Sequence, residues 1–427
     1  MDQKQTIAAL QSGAFDETLS QMYACTGEAL APYRQRFVDA ILAFGEEFGE
    51  DSDISLFSAP GRTELCGNHT DHQGGRVLAA AVDMDIIAVA AKRDNDKLRL
   101  KSEGFLMDSV QLSDLAPQPD ELNSSASLLR GIASRFTEMG YEVTGFDAYT
   151  TSNVLRGSGL SSSAAFEVLV GNICSHFFAD DAVDAVQIAQ IGQYAENAYF
   201  GKPCGLMDQM ASAVGGVIEI DFRDKAAPKI TKTQVDLAAE GYALCILDSG
   251  ANHADLTDAY AAIPAEMRAV ARALGKERLS EVRYDDFYDQ IPALRASCGD
   301  RAVLRALHYF GDDQRVTKAV RSLQNGYFQQ YLEEIRISGA SSFQYLQNVS
   351  TYASPRYQDV AIAIAAAGEL LGSRGAVRVH GGGFAGTVQA YVPLDLLDEF
   401  REKTERILGE GACHVMRIRS IGGICLC

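Results

Sequence analysis

A chain of 427 residues, 47% hydrophobic and 22% charged, can bury a large core and divides into about two or three domains. With 38 Lys+Arg against 57 Asp+Glu, its net charge of -19 argues against a nucleic-acid footprint and against anionic membrane surfaces, so a charged substrate needs local basic groups. No run approaches a transmembrane helix, the first residues lack a basic n-region with a long apolar core, and nine cysteines fall without metal-ligand spacing; a cytoplasmic protein with reduced thiols and no zinc site is expected.

The segment up to Gly49 reads as helical, since FVDAILAFGEEFG sets apolar residues at three- and four-residue steps before SDISLFSAPGR turns to a strand and a Pro/Gly break. VDMDIIAVAAK from Val82 and KLRLKS from Lys97 are β-type runs bounded by Asp, Asn and Gly, as in neighbouring strands. NVLRGSGLSSSAAFEV, Asn153 to Val168, then sets a Gly/Ser-rich loop before an apolar stripe of Phe166, Leu169, Val170, Ile173 and Phe177. That spacing predicts a helix opening near Ser161, with its free backbone N–H groups directed into the loop. Gly157 and Gly159 permit close approach of a ligand, and the hydroxyls of Ser161, Ser162 and Ser163 sit where they could bind phosphate oxygens or a magnesium ion; a capped helix start without a ligand is the plain alternative.

Further on, AVDAVQIAQIGQYAENAYFG is a second amphipathic helix ended by Gly201 and Pro203, and GLMDQMASAVGG restarts after that break. After VIEIDF a charged connection leads to the strand YALCILDSG, which places a boundary near Phe222 to Gly241. The stretch from Pro264 to Gly372 is mostly helical in pattern. AVRVH, GGGFAG and TVQAYV then form a hairpin-like unit in which Val388, Ala390 and Val392 share a face.

Four blocks, taken together and in this order, carry a family resemblance: APGRTELCGNHTDHQGG from Ala59, GSGLSSSAA from Gly157, AENAYFGKPCGLMDQ from Ala195, and GGGFAGTVQAYV from Gly381. They resemble the sugar-binding signature, phosphate loop, catalytic-aspartate segment and C-terminal glycine loop of the galactokinase branch of the GHMP small-molecule kinases. The resemblance runs from Phe57 to Val392 and is thin between Pro264 and Gly372. It implies an α+β, two-lobed fold with the active site between the lobes: an N-terminal kinase domain over residues 1–225 with a mixed sheet and helices, and a C-terminal domain over residues 226–427, ferredoxin-like, carrying the glycine-rich third motif.

The same resemblance implies transfer of the γ-phosphate of ATP, the co-substrate, to the anomeric hydroxyl of galactose with the cofactor Mg2+. Such a transfer needs a phosphate cradle, a metal and a group that orients or deprotonates the nucleophile. Gly157, Ser158, Gly159, Leu160, Ser161, Ser162 and Ser163 match the ATP-binding loop, and Ser163 with Glu196 the magnesium ligands, whose oxygens suit that ion. Asp208 matches the catalytic aspartate, and Arg62 is its expected partner, keeping the carboxylate ionised and facing the developing charge. Asn68, His69, Asp71, Gly205 and Tyr260 match the sugar contacts. Each also has a plain reading: Glu196 as a solvated helix carboxylate, Asp208 as a helix N-terminal one, Arg62 as a surface ion-pair member, Tyr260 as core.

Several positions depart from the family pattern. Asn68 stands where most galactokinases carry Glu, which removes a charge-assisted acceptor and adds two donors. Tyr260 keeps the family spacing from His253, but AAIPAEM replaces the usual arginine-rich run; Ala385 replaces a glycine, which costs little if its φ is negative, and Leu155 replaces a proline. His69, Asp71 and His72 can also be read as a metal cluster, but no distant fourth ligand accompanies them and hydroxyl recognition fits better. Two alternatives follow: a kinase for another sugar, such as N-acetylgalactosamine or arabinose, and a non-catalytic sugar and ATP sensor, against which the intact Arg62, Ser163, Glu196 and Asp208 argue.

Overall fold

Three helices, α1 (Gln3–Gln11), α2 (Asp16–Tyr23) and α3 (Ala31–Phe48), precede the first strand in a computed structural model that describes every residue except 51, 156–158, 203, 225, 251–255 and 352–355. Their ends follow local chemistry. The Asp2 carboxylate caps α1 by accepting from the Gln5 N–H at 2.8 Å, while Pro32 opens α3 and Gly49 closes it.

The first sheet holds β1 (Ser55–Cys66), β2 (Arg76–Arg93), β3 (Lys97–Ser102), β4 (Met107–Gln111), β5 (Gly145–Ser152), β6 (Val217–Asp221), β7 (Lys229–Thr233) and β12 (Ile424–Cys425). Its order is β12-β1-β2-β5-β3-β4, with β6 paired to β2 and β7 to β6; β3 and β5 are parallel and the other pairs antiparallel, so the sheet is mixed. One face carries α5 (Ser162–Ala179) and α7 (Met207–Val214), with α4 (Ser125–Glu138) and α6 (Ala185–Ala195) packed behind them, and the other face carries α3. Covered on both sides, β1 is buried along almost its whole length, and the polar Ser58, Arg62, Thr63 and Glu64 are buried with it.

The second sheet contains β8 (Tyr242–Asp248), β9 (Ala376–Val379), β10 (Thr387–Pro393) and β11 (Cys413–Met416) in the order β11-β8-β10-β9, all antiparallel. Between β8 and β9 run α8 (Thr257–Ala273), α9 (Tyr284–Asp289), α10 (Ile291–Cys298), α11 (Asp300–Gln324), α12 (Phe328–Ser341) and α13 (Asp359–Leu371), and α14 (Leu397–Leu408) joins β10 to β11. With α13 and α14 as its crossovers, this is the β-α-β-β-α-β order of a ferredoxin-like sheet. The chain passes between the sheets after Thr233 and before Tyr242, and it returns to the first sheet at β12.

The main core is shared: Val77 and Leu78 of β2, Val316 of α11, Ile335 of α12, and Ile246, Tyr391 and Met416 of the second sheet lie in one cluster. On the far face of the first sheet Leu19, Phe37, Ile41 and Phe44 of the N-terminal helices pack against Leu56, Ile87 and Val89, each large side chain contributing about 2 kcal/mol by burial. Under this layer lies Asp85. It accepts from the Tyr23 hydroxyl at 2.8 Å, from Ser58 Oγ at 2.5 Å and from Arg419 at 3.3 Å, and it pairs with Arg36. Its backbone N–H donates to Asn153 Oδ1 at 2.7 Å, where the chain leaves β5 for the Gly/Ser loop. The N-terminal helices therefore hold the floor beneath that loop.

Candidate active site

Arg62 lies on β1 beside a register irregularity: Pro60 faces Asp85 across the ladder, yet Arg62 faces Ala81. Such irregularities re-aim a side chain. The Arg62 backbone N–H donates to the Leu160 carbonyl at 3.0 Å, and Arg62 Nη1 donates to the Gly159 carbonyl, so the end of the Gly/Ser loop hangs on β1. Arg62 Nε donates to Asp208 Oδ1 at 2.7 Å and Nη2 to Oδ2 at 2.5 Å, a bidentate pair. The arginine side chain is 7% exposed and the aspartate 31%, so the carboxylate keeps an accessible edge. Burial works against the Asp208 charge, but the Arg62 guanidinium and the Ser161 hydroxyl, which also donates to Oδ2, hold the carboxyl below its usual range.

Ser161 is the N-cap of α5 and has φ +56, an uncommon value for a residue with a side chain. Its hydroxyl turns to Asp208 instead of capping the helix, which leaves the first N–H groups of α5 available to a ligand. Ser162 and Ser163 are half-exposed at the same helix end, and Leu160 is buried beneath. Gly157 and Ser158 lie outside the described residues.

Glu196 begins a π-helical turn, Glu196–Phe200, that continues α6, a local distortion frequent at functional sites. It is buried, and the Gln209 amide donates both to Glu196 Oε2 at 2.9 Å and to Glu167 Oε2 at 2.8 Å, while Lys202 Nζ reaches Glu196 Oε1 at 3.3 Å. Glu167 lies one helical turn beyond Ser163 on α5, so the two share a face of that helix. Burial and the neighbouring Glu196 charge push the Glu167 carboxyl well up. Glu167 Oε1 and Gln209 Oε1 are buried without a hydrogen-bond partner, a surplus of hard oxygens that a cation would relieve. Among the described residues no group of three His, Cys, Asp or Glu side chains is placed to hold a metal ion.

The opposite wall comes from Gly67 to Gly75. His69, at φ +60, donates through Nε2 to the Gly382 carbonyl at 3.0 Å, and its ring centroid is 5.2 Å from that of Tyr260. Burial and then His72 pull its pKa down to about 3, so the ring is neutral and its buried Nδ1 is an acceptor with no protein partner. Asp71 packs against Gly205: a Cβ there would stand 2.5 Å from Asp71 Oδ2, so the missing side chain is what admits the carboxylate. Gly382 is under the same constraint from Tyr260, whose Cε2 would lie 2.5 Å from an added Cβ. Ala385 does not have a positive φ, so its methyl is tolerated; in this loop Phe384 is the residue with a side chain at positive φ.

Asn68 differs from its expected placement. Its side chain does not face the cleft; it is buried between the lobes, with Nδ2 donating to Glu64 at 3.0 and 3.2 Å and to the Gly381 carbonyl at 2.8 Å, and Oδ1 accepting from Asn348 at 2.7 Å. Glu64, Asn348, Glu167, Gln209 and Lys202 are the neighbours that sequence reasoning missed. Glu167 had a signal, a carboxylate at helical spacing from Ser163; Asn348 had none, because it reaches the site only through tertiary packing.

With this geometry in view, the galactokinase galactose-binding signature matches residues 42–92 and the N-terminal domain of GHMP kinases matches residues 127–216. A galactokinase of Streptomyces coelicolor is 32% identical over 382 residues, covering 88% of this chain and 94% of that protein. The chain belongs to the galactokinase family. A galactokinase of Actinobacillus pleuropneumoniae is 30% identical, covering 86% of this chain and 91% of the relative. Among solved structures, Lactococcus lactis galactokinase complexed with galactose superposes with a TM-score of 0.77 at 25% identity, covering 90% of this chain and 98% of that one. The mevalonate kinase of Methanococcus jannaschii, at 16% identity and a TM-score of 0.61 over 86% of this chain and 99% of its own, shares the fold.

Proposed function

We propose that the chain is an ATP-dependent sugar kinase that phosphorylates galactose at its anomeric hydroxyl, giving galactose 1-phosphate and ADP. The observation that carries this reading is the bidentate Arg62–Asp208 pair set against the open N-terminus of α5, in a chain of the galactokinase family. Asp208, held ionised, would accept or hold the proton of the anomeric hydroxyl, and Arg62 beside it would stabilise the negative charge that develops on transfer. The free N–H groups of α5 and the hydroxyls of Ser162 and Ser163 would receive the phosphates, with Gly157 to Ser161 completing the ATP loop. Ser163 and Glu196 would hold Mg2+, which supplies charge neutralisation on the phosphate oxygens.

On the sugar side, His69 Nδ1 offers a lone pair to a hydroxyl proton, and Asp71 and Tyr260 stand nearby as further polar partners. The domains of this reading are residues 1–225 and 226–427, with β7 and β12 completing the first lobe's sheet from the second part of the chain. Free thiols and ATP as a substrate go with a cytoplasmic setting. Among the described residues no helix is long and apolar enough to cross a membrane.

The test is a coupled ADP-release assay with Mg-ATP and galactose, N-acetylgalactosamine, arabinose, glucose or mevalonate. Turnover led by galactose supports the reading. Turnover led by another sugar replaces the substrate, and sugar binding without any turnover replaces the enzyme with a sensor.

A further inference from the structure

The buried Asn68 amide meets a carboxylate from four residues earlier in the chain. Glu64, near the end of β1, turns its side chain to the Asn68 amide, and Arg378 of β9 clamps the same carboxylate from the second lobe, with Nη2 to Oε1 at 2.5 Å. Arg378 Nη1 and Gln389 Nε2 both donate to the Glu64 carbonyl, at 3.1 and 3.0 Å.

From Asn68 the connections run to the wall that faces the cleft. Its amide reaches the Gly381 carbonyl, one residue before the Gly382 carbonyl that receives His69. Its backbone N–H donates to Asp312 at 2.9 Å, and its carbonyl accepts from His308 at 2.9 Å, both from α11. Glu64 and Arg378 are almost fully buried, so the carboxylate has no solvent with which to replace the Asn68 donor.

We propose that Glu64 and Asn68 are a coupled carboxylate–amide pair, with Glu64 a positioning residue that fixes the His69–Asp71 segment against the Gly381–Gly382 loop for sugar binding. This rests on the kinase reading above. The pair is complementary only as a unit. Asn68→Glu alone sets two carboxylates against each other, Glu64→Asn alone sets two amides against each other and takes the carboxylate away from Arg378, and the double exchange E64N/N68E restores one carboxylate and one amide to the cluster without the donation to the Gly381 carbonyl.

The experiment compares the wild type, both single variants and the double exchange. KM for the sugar that the wild type turns over fastest and KM for ATP are measured separately, alongside Tm. Each single variant is expected to raise the sugar KM by about tenfold or more with the ATP KM nearly unchanged, and the double exchange to recover part of the loss, the signature of a direct coupling. Hydrogen exchange of the Gly67–Gly75 amides reads the same coupling without substrate, faster in each single variant and slowed again in the double. If Glu64→Asn does not fold, Glu64→Gln keeps the shape of the side chain and is expected to show the same rise in sugar KM.

Asn68→Glu alone matching or bettering the wild type overturns the proposal. So does a double exchange no better than its worse single variant, or a parallel rise of both KM values with falling Tm, which would make the pair a fold contact only. A wild type that prefers another sugar overturns the galactose reading and leaves the exchange tested on that sugar; one that turns over none leaves it tested by hydrogen exchange.

Discussion

The two ends of the cleft are built differently. The phosphate end uses β1, α5 and α7, all from one lobe, and its contacts follow short motifs: Arg62 beside the Leu160 and Gly159 carbonyls, Ser161 turned to Asp208, Gln209 between Glu167 and Glu196. The sugar end is a seam. Asn68 alone touches Glu64 from β1, Gly381 beyond β9, Asn348 beyond α12 and His308 of α11. A site built by one lobe can keep its geometry as the lobes shift against each other, whereas a seam transmits lobe position into substrate recognition. Changes at the phosphate end are therefore expected in kcat, and changes at the seam in the sugar KM.

The largest effect tests the phosphate end. Asp208→Asn should lower kcat by about 10³-fold while ATP affinity by calorimetry stays near the wild-type value, because a neutral amide cannot take the proton. A near-normal kcat removes the assigned role. Gly205→Ala sharpens the contrast from the sugar end: its methyl would stand 2.5 Å from Asp71 Oδ2, so the sugar KM should rise by about 10- to 100-fold with the ATP KM kept. Equal shifts in both constants would mean that Asp71 serves the whole cleft. Ser161→Ala removes one hydrogen bond to an ionised carboxylate and should lower kcat by about tenfold or less, with the sugar KM unmoved.

The smallest expected effect is a flat line. His69 has a folded pKa of about 3, below its ordinary 6.5, so between those values the unfolded chain binds more protons than the native protein. The stability that this contributes is fully present above 6.5 and is lost as the pH falls through that window toward 3. In the folded enzyme the ring stays neutral, and the sugar KM should not change with His69 titration between about pH 5.5 and 8. A limb near 6.5 that vanishes in His69→Gln would break this account of the seam.

Asp85 gives a useful contrast to Asp208. Both pair with arginine, yet Asp85 is wholly enclosed by Arg36, Arg419, Tyr23 and Ser58, while Asp208 keeps an open edge. Residue type and pairing do not separate a structural carboxylate from a reacting one; access does, and access belongs to the tertiary fold.

By itself the sequence determined what depends on neighbours along the chain. The Gly/Ser loop and the apolar stripe after it announced α5, opening at Ser162; the helical spacing before Gly49 announced α1 to α3; and the alternation of Val388, Ala390 and Val392 announced β10. Order and spacing of four motifs indicated the family and brought Arg62, Asp208, His69 and Tyr260 forward as one site. Only the tertiary structure decided which way Asn68 faces. Its surroundings are Glu64, Gly381, Asn348 and Ser342, three of them more than 270 positions distant in the chain, and a partner at that distance leaves no trace in local periodicity. The same holds for the N-terminal helices, whose amphipathic pattern calls for a partner surface without naming it; packing on the far face of the first sheet, above Asp85 and the root of the phosphate loop, supplied that surface.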